Sequence, residues 1–194
     1  MTKIERAQAM AHAAHDSINQ KRKYGNLPYW VHTDAVAEIV ALHGGTKDMI
    51  AAAHLHDVLE DVQPSDKAGI YQAACIGTQF GEPVLRFVWE LTNLYTKEAR
   101  PGWNRAKRKE EEHKRLAAIS DEAKVIKLAD ILDNAQTIGD DKEHLPFAVV
   151  WLGEKLHLLP LLKTPLAPEL WDKAEAVVRG KLLDITKIID TIEV

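Results

Sequence analysis

The stretch Ala51-Ala52-Ala53-His54-Leu55-His56-Asp57-Val58-Leu59-Glu60-Asp61 indicates both the fold class and a site. Its first residues are small and apolar, which is typical of a buried helix. Glu60 follows His56 by four residues and Asp57 by three, and Asp61 follows Asp57 by four. Residues three or four apart are neighbours on a helix, so the spacing predicts four polar groups within one turn.

Three carboxylates and an imidazole at such close range would repel and be poorly solvated unless a cation neutralised them. A divalent metal ion is the simplest cation that fits. The alternative is an exposed acidic turn, where negative charge lies unfavourably at the end of the helix dipole. His54 also fits this face, and we expect it to lie in the core or to support a ligand rather than to be one.

A second segment, residues 125–134, reads VIKLADILDN and places an acid inside an apolar helix. Lys127 lies three residues before Asp130 and Asn134 lies four after it, so all three share one face. This pattern predicts Asp130 as a ligand beside a phosphate-contacting lysine. The alternative is a local ion pair between Lys127 and Asp130 on a surface helix.

A third segment, Pro28-Tyr29-Trp30-Val31-His32, places a histidine at the start of a helix. The three segments together supply two imidazoles and two carboxylates, from His32, His56, Asp57 and Asp130. Such a nitrogen and oxygen set suits a catalytic manganese, iron or zinc ion better than a closed structural zinc site. It leaves positions open for water and a phosphoryl oxygen.

The rest of the chain also shows the apolar spacing of helices. We predict helices over residues 2–19, 32–43, 46–62, 69–80, 83–94, 120–138, 145–162 and 168–192, with a basic helix and loop over 97–115. The basic stretch is a solvated segment or a phosphate-contacting lid that uses Arg105 and Arg108. We therefore expect a single all-α domain over residues 1–194, a bundle of roughly eight to ten helices.

Composition excludes several classes of protein. With 194 residues, 46% of them hydrophobic, and a net charge of −4, the chain is neither disordered nor strongly charged. Cys75 is the single cysteine, which excludes a disulfide scaffold and fits the cytoplasm. No apolar run approaches a membrane span, and a pI near 6.1 gives no attraction to nucleic acid.

The last helix, with Trp171, is expected to pack in the core, or alternatively to form a homodimer interface.

The pattern resembles the HD phosphohydrolase superfamily, named for its His-Asp doublet, and within it the hydrolase domain of the RelA/SpoT-type alarmone enzymes and their stand-alone small relatives. The resemblance covers about residues 5–160 in one register and leaves residues 163–194 as a C-terminal helical extension. It is carried by Tyr24-Gly25, Pro28-Tyr29, His32, Val36-Ala37, residues 53–61, residues 80–84, Leu91-Thr92, residues 105–115 and residues 127–134.

The resemblance implies an all-helical fold and removal of the 3′-pyrophosphate of (p)ppGpp, the reaction of a guanosine-3′,5′-bis(diphosphate) 3′-pyrophosphohydrolase. It implies Mn²⁺, or another divalent transition metal, on His32, His56, Asp57 and Asp130. Glu60 and Asp61 match the acidic pair at the catalytic water, and their closeness should raise one pKa. The substrate contacts match Arg22 or Lys23, with Lys127 and Asn134.

Other substrates stay open, because some relatives remove the 2′-phosphate of NADPH and the wider superfamily includes 5′-nucleotidases and dNTP triphosphohydrolases. Two departures bear on this choice. The turn between Lys23 and Pro28 looks shorter than in the stand-alone relatives, and Ala135 follows Asn134 where the family usually has an arginine. A third alternative is a catalytically silent nucleotide sensor, against which the intact acidic pair argues.

Overall fold

The computed structural model describes residues 1–140 and 142–192, and these ranges form an all-α bundle, as predicted. The α-helices are α1 (Lys3–Ser17), α2 (Trp30–Leu42), α3 (Lys47–Leu55), α4 (Ala73–Phe80), α5 (Glu82–Leu91), α6 (Arg105–Ala117), α7 (Asp121–Thr137), α8 (Leu145–Leu158) and α9 (Pro168–Ile192). Within those ranges there is no β-strand, and one isolated backbone bridge joins Lys21 to Pro28.

Small side chains bring α1, α2 and α3 close together. Ala51, Ala52 and Ala53 on α3 are fully buried, as are Ala7 and Ala11 on α1. The side chain of Thr46 caps α3 by accepting a hydrogen bond from the backbone N–H of Met49 at 3.3 Å. The close approach of these helices places the end of α3 beside the start of α2.

The predicted helix over residues 46–62 is interrupted, so that prediction was wrong in its extent. α3 ends at Leu55, and a π-helical turn then covers Val58–Val62. The wider turn buries Val58, Leu59 and Val62, while the acidic residues between them stay partly accessible. His56 and Asp57 therefore lie at the break between two kinds of helix, a position often found at functional sites.

Helix α7 runs through the centre of the bundle. Its cap is Ser120, whose hydroxyl accepts from the backbone N–H of Ala123 at 3.3 Å and donates to Glu90 at 2.6 Å. Asp130 and Asp133 are buried on this helix, with 8% and 9% of their surface exposed. The surface location in the alternative interpretation is therefore wrong, whereas its ion pair between Lys127 and Asp130 is present at 2.7 Å.

The basic stretch contributes α6, and its two predicted lid arginines are already paired. The guanidinium of Arg105 donates two hydrogen bonds to Glu154, at 2.7 and 2.8 Å. Arg108 donates to the backbone carbonyl of Trp103 at 2.5 Å. Both arginines thus contact other parts of the protein, and the lid interpretation stays a prediction.

The last two helices close one side of the bundle. Leu170, Ala174 and Val178 of α9 are fully buried, in agreement with the predicted core role. Among the described residues, Leu145–Leu162 is the one helical stretch long and apolar enough to cross a membrane by length and composition. The prediction that no apolar run approaches the length of a membrane span was therefore wrong for this stretch. A core helix of a soluble protein can have the same length and composition.

Candidate metal centre and substrate pocket

Two imidazoles and a carboxylate meet in the interior, brought there by α2, α3 and α7. The Nε2 atom of His32 lies 3.3 Å from Oδ1 of Asp130, and the Nε2 atom of His56 lies 3.9 Å from the same oxygen. One ligand atom from each residue lies within 4.8 Å of the others. Ligands about 2.0–2.2 Å from a shared metal ion would have separations of this order.

Asp57 adds a second carboxylate to the same cluster. Its Oδ2 atom lies 3.0 Å from Nε2 of His56 and 3.8 Å from Nε2 of His32. The hydroxyl of Tyr29 donates a hydrogen bond to this oxygen at 2.6 Å. The structure therefore brings together all four residues that the sequence singles out, and Tyr29 joins them as a partner of Asp57.

The hydrogen bonds of the two imidazoles leave the Nε2 atoms for a ligand role. The Nδ1 atom of His32 bonds Oδ2 of Asp133 at 2.6 Å, and that of His56 bonds the carbonyl of Ala53 at 2.8 Å. Because both Nδ1 atoms face acceptors, they carry the protons of the neutral rings. Neither Nε2 atom has a hydrogen-bond partner within the described part of the chain, although both are buried. An unsatisfied buried nitrogen beside carboxylates fits a metal ligand.

Asp133 is a candidate supporting residue of this cluster that the sequence reasoning missed. Besides bonding His32, its Oδ2 atom accepts from Arg22 at 2.6 Å, and Arg22 also donates to Thr137 at 2.8 Å. Carboxylates that orient a ligating histidine are a general feature of metal sites. Asp133 lies three residues after Asp130, so the spacing on α7 could have indicated it. Arg22, which is predicted to contact substrate, is nearly buried. Its guanidinium bonds Asp133 and Thr137 instead of facing solvent.

The carboxylates of the cluster carry more negative charge than the neighbouring cations balance. Burial alone would lower the pKa of His32, yet the carboxylates of Asp130, Asp133 and Asp57 outweigh it and raise the pKa to about 9. Burial would likewise raise the pKa of Asp130, but Lys127 and the two histidines hold it well below its usual range. The carboxylates thus favour a positive charge between them, which a proton or a metal ion can supply.

The acidic pair lies beside the cluster on the π-helical turn. Glu60 accepts a hydrogen bond from the backbone N–H of Asn93 at 3.0 Å, and Asp61 accepts from the side chain of Gln20 at 2.7 Å. Burial and the charge of Asp57 raise the pKa of Glu60 and raise that of Asp61 to about 7. A carboxyl group of this kind can exchange a proton near neutral pH.

Lys127 and Asn134 both contact Asp130 directly. Nζ of Lys127 lies 2.7 Å from Oδ2 of Asp130, and the side-chain amide of Asn134 donates to Oδ1 at 2.6 Å. The predicted shared face of α7 is therefore present. Their contacts with a substrate stay a prediction.

A pocket of about 250 Å³ opens next to this cluster. It combines basic, aromatic and amide groups, supplied by Arg22, Lys23, Tyr24, Tyr29, Asn134, Thr137, Ile138, Phe147 and Trp151. Nζ of Lys23 lies 3.8 Å from the centre of the Phe147 ring, so the cation and the aromatic wall are in contact. Trp30 stacks on His12 instead and does not line the pocket.

The chain is similar in sequence to a known family and to two curated proteins. The sequence model of the HD domain family matches residues 7–153. Over 139 residues the chain is 34% identical to a guanosine-3′,5′-bis(diphosphate) 3′-pyrophosphohydrolase of Aquifex aeolicus, covering 70% of this chain and 18% of the relative. A probable enzyme of the same name from a Synechocystis species is 33% identical over 129 residues, covering 64% and 16%. The chain thus spans less than a fifth of these two relatives.

Two solved structures share the fold. A metazoan ortholog of SpoT, described as hydrolyzing ppGpp and playing a role in starvation responses, superposes with a TM-score of 0.72 at 26% identity. That match covers 93% of this chain and 96% of the other. A protein of Listeria monocytogenes superposes with a TM-score of 0.61 at 22% identity, covering 83% and 99%, which shows the fold alone.

Proposed function

The chain belongs to the HD domain family, and we propose that it is a metal-dependent phosphohydrolase that removes the 3′-pyrophosphate of (p)ppGpp. The observation that carries this proposal is the meeting of two buried imidazole Nε2 atoms, neither with a hydrogen-bond partner among the described residues, with the carboxylate of Asp130. The names of the two curated relatives and the reaction of the metazoan ortholog support the choice of substrate.

The residues that would hold the metal ion are His32, His56, Asp57 and Asp130. Two imidazoles and two carboxylates suit Mn²⁺ or another divalent transition metal, since imidazole favours zinc and iron and carboxylate favours manganese. Such an ion supplies Lewis-acid chemistry: it makes water a nucleophile at neutral pH and stabilises charge on a phosphoryl oxygen.

The side chains around the cluster have separate roles in this proposal. Glu60 and Asp61 orient the attacking water and accept its proton as its oxygen forms a bond to phosphorus. The bond between that phosphorus and the 3′ oxygen breaks, and the 3′ oxygen takes up a proton. Lys127 offsets charge on the nonbridging oxygens. Products are pyrophosphate and a guanosine that keeps its 5′ phosphates.

The adjacent pocket suits a nucleotide. Lys23 would contact a phosphate group, and Asn134 would contact the substrate at the edge of the metal centre. The aromatic walls of Tyr24, Phe147 and Trp151 offer flat apolar surface of the kind on which nucleobases stack. We further propose that residues 1–194 form one domain of a cytoplasmic enzyme. Its partner would be a small nucleotide and neither a nucleic acid nor a membrane. A homodimer through α9 stays a prediction.

Turnover of a substrate panel tests the proposal. The chain, supplemented with Mn²⁺, is incubated with ppGpp, NADPH, dNTPs and mononucleotides, and the phosphorus products are identified. We expect pyrophosphate from ppGpp. Orthophosphate from NADPH or from a mononucleotide, or triphosphate from a dNTP, would indicate the other enzymatic functions instead. Tight binding of ppGpp without turnover would indicate a sensor and contradict the proposal.

Asp133→Asn is expected to weaken metal binding roughly 10- to 100-fold, because it removes the charge that orients His32. The dissociation constant is measured by competition with a chelator, alongside thermal unfolding. The matched control is Asp121→Asn, a carboxylate on the same helix that lies far less buried. Equal metal affinity in a folded Asp133 variant and in the parent would contradict the orienting role.

A further inference from the structure

A second cavity is lined by Lys127, the lysine that contacts Asp130 of the metal cluster. It has a volume of about 80 Å³ and lies where α6, α7 and α8 meet. Its polar wall has three lysines, two acids, an amide and an imidazole, supplied by Lys109, Lys127, Lys155, Glu60, Glu112, Asn93 and His113. Three lysines from three different helices thus line one small space.

Two of these lysines have no anionic partner in the described part of the chain. Neither Lys109 nor Lys155 makes an ion pair or a hydrogen bond there, and the one recorded contact of the Lys155 amine is the ring of Trp151 at 4.9 Å. The nearby acids have other partners or a raised pKa: Glu60, whose pKa burial raises, accepts a hydrogen bond from the backbone N–H of Asn93 at 3.0 Å, and two further acids pair with arginines. Glu112 pairs with Arg115, and Glu154 pairs with Arg105 at 2.7 Å.

The pKa values of both amines are lowered, as expected for cations that make no ion pair. Burial lowers the pKa of Lys155 to about 7, and the charges of Lys127 and Lys109 act in the same direction. Burial also lowers the pKa of Lys109; the charge of Glu154 opposes this shift, and that of Lys127 adds to it. Like charges held together in a partly buried cavity are unfavourable unless an anion joins them.

The cavity shares Lys127 with the surroundings of the candidate metal centre. Lys127 lines it and at the same time lies 2.7 Å from Asp130, whose other oxygen belongs to the metal cluster. Glu60, one of the proposed water-orienting acids, forms part of the same wall. A phosphate in the cavity would therefore be adjacent to a phosphate at the metal.

We propose that this lysine cavity is a second phosphate subsite, which holds the far phosphate of a diphosphate group while the near one lies at the metal. Lys109 and Lys155 bind its oxygens, and Lys127 contacts both phosphates. The inference rests on the proposed function in placing the reacting phosphate at His32, His56, Asp57 and Asp130. It assigns the leaving group as pyrophosphate, which favours a 3′-diphosphate over substrates that carry a single phosphate at the reacting position.

Binding of inorganic pyrophosphate and orthophosphate tests the subsite. Both are titrated calorimetrically into the full chain as purified and after loading with Mn²⁺, for the parent, Lys109→Met and Lys155→Met. We expect the parent to bind pyrophosphate at least about tenfold more tightly than orthophosphate, and each variant to lose about tenfold for pyrophosphate, as loss of a charge-assisted hydrogen bond implies. Because the metal is common to all, differences between variants report on the lysines.

Lys107→Met is the matched control, since Lys107 is exposed on the same helix and contacts Trp103 instead. Thermal unfolding separates binding from structure. Removing an unpaired cation from the cavity should leave the midpoint unchanged or raise it, whereas a structural role would lower it. Unaltered pyrophosphate affinity in both cavity variants, or equal affinity of the parent for the two anions, would overturn the subsite.

The result is distinguishable from a failure of the proposed function. If ppGpp is not hydrolysed but pyrophosphate binding depends on Lys155, the choice of substrate fails and the subsite stands. If ppGpp yields pyrophosphate while the Lys109 and Lys155 variants bind that product as the parent does, the function stands and the subsite fails.

Discussion

Asp57→Ala is expected to lower kcat/KM by at least about 10³-fold, equivalent to about 4 kcal/mol of transition-state stabilisation. Asp57 presents one oxygen 3.0 Å from His56 and 3.8 Å from His32. Removing it takes away a ligand and a full negative charge from a cluster of mixed nitrogen and oxygen donors. It also leaves the hydroxyl of Tyr29 without its acceptor. We expect the variant to bind the ion more weakly and to hold it in an altered position.

Metal content and activity are measured together for this variant. Elemental analysis after reconstitution should find substoichiometric metal in Asp57→Ala and a full complement in the parent. Chelation should abolish the activity of the parent, and added Mn²⁺ should restore it. Asp16→Ala, an exposed carboxylate on α1, provides the control for loss of an acid elsewhere. Turnover by Asp57→Ala equal to that of the parent, or activity that resists chelation, would remove the basis for the metal assignment.

The convergence of the four candidate ligands is the part that the sequence predicts best. Helical periodicity places Lys127, Asp130 and Asn134 on one face, and the structure has both contacts within that face. Polar groups inside apolar helices are rarely accidental, because each needs a partner in the core. Such residues therefore mark the interior end of a site even when the distances between the helices are unknown.

Helical periodicity does not predict which residues of different helices contact each other. The bond between Asp133 and His32 joins residues 101 positions apart, and no spacing rule connects them. The break after Leu55 also escapes prediction, because the run of apolar and acidic residues continues the helical pattern through it. Lys155 is a similar case. On α8 it resembles a solvated lysine near a helix end, and only the packing of α6 and α7 encloses it with other cations.

Asp61→Asn is expected to reduce kcat by about 10²- to 10⁴-fold while leaving metal content unchanged. The amide has nearly the same shape and can still bond Gln20, which holds the present carboxylate at 2.7 Å. It cannot accept a proton from the attacking water. An effect on kcat with little change in KM would assign Asp61 to the chemical step.

The contrast between the two substitutions separates proton transfer from metal binding. Asp57→Ala should lose the metal and the activity together, whereas Asp61→Asn should keep the metal and lose activity alone. Asp16→Asn controls for the change from acid to amide. Burial and the charge of Asp57 already raise the pKa of Asp61 to about 7, so the amide replaces a carboxyl that is partly neutral, and the fold should tolerate it. An Asp61→Asn enzyme with the kcat of the parent would leave Glu60 as the only acid of the pair that could accept the proton.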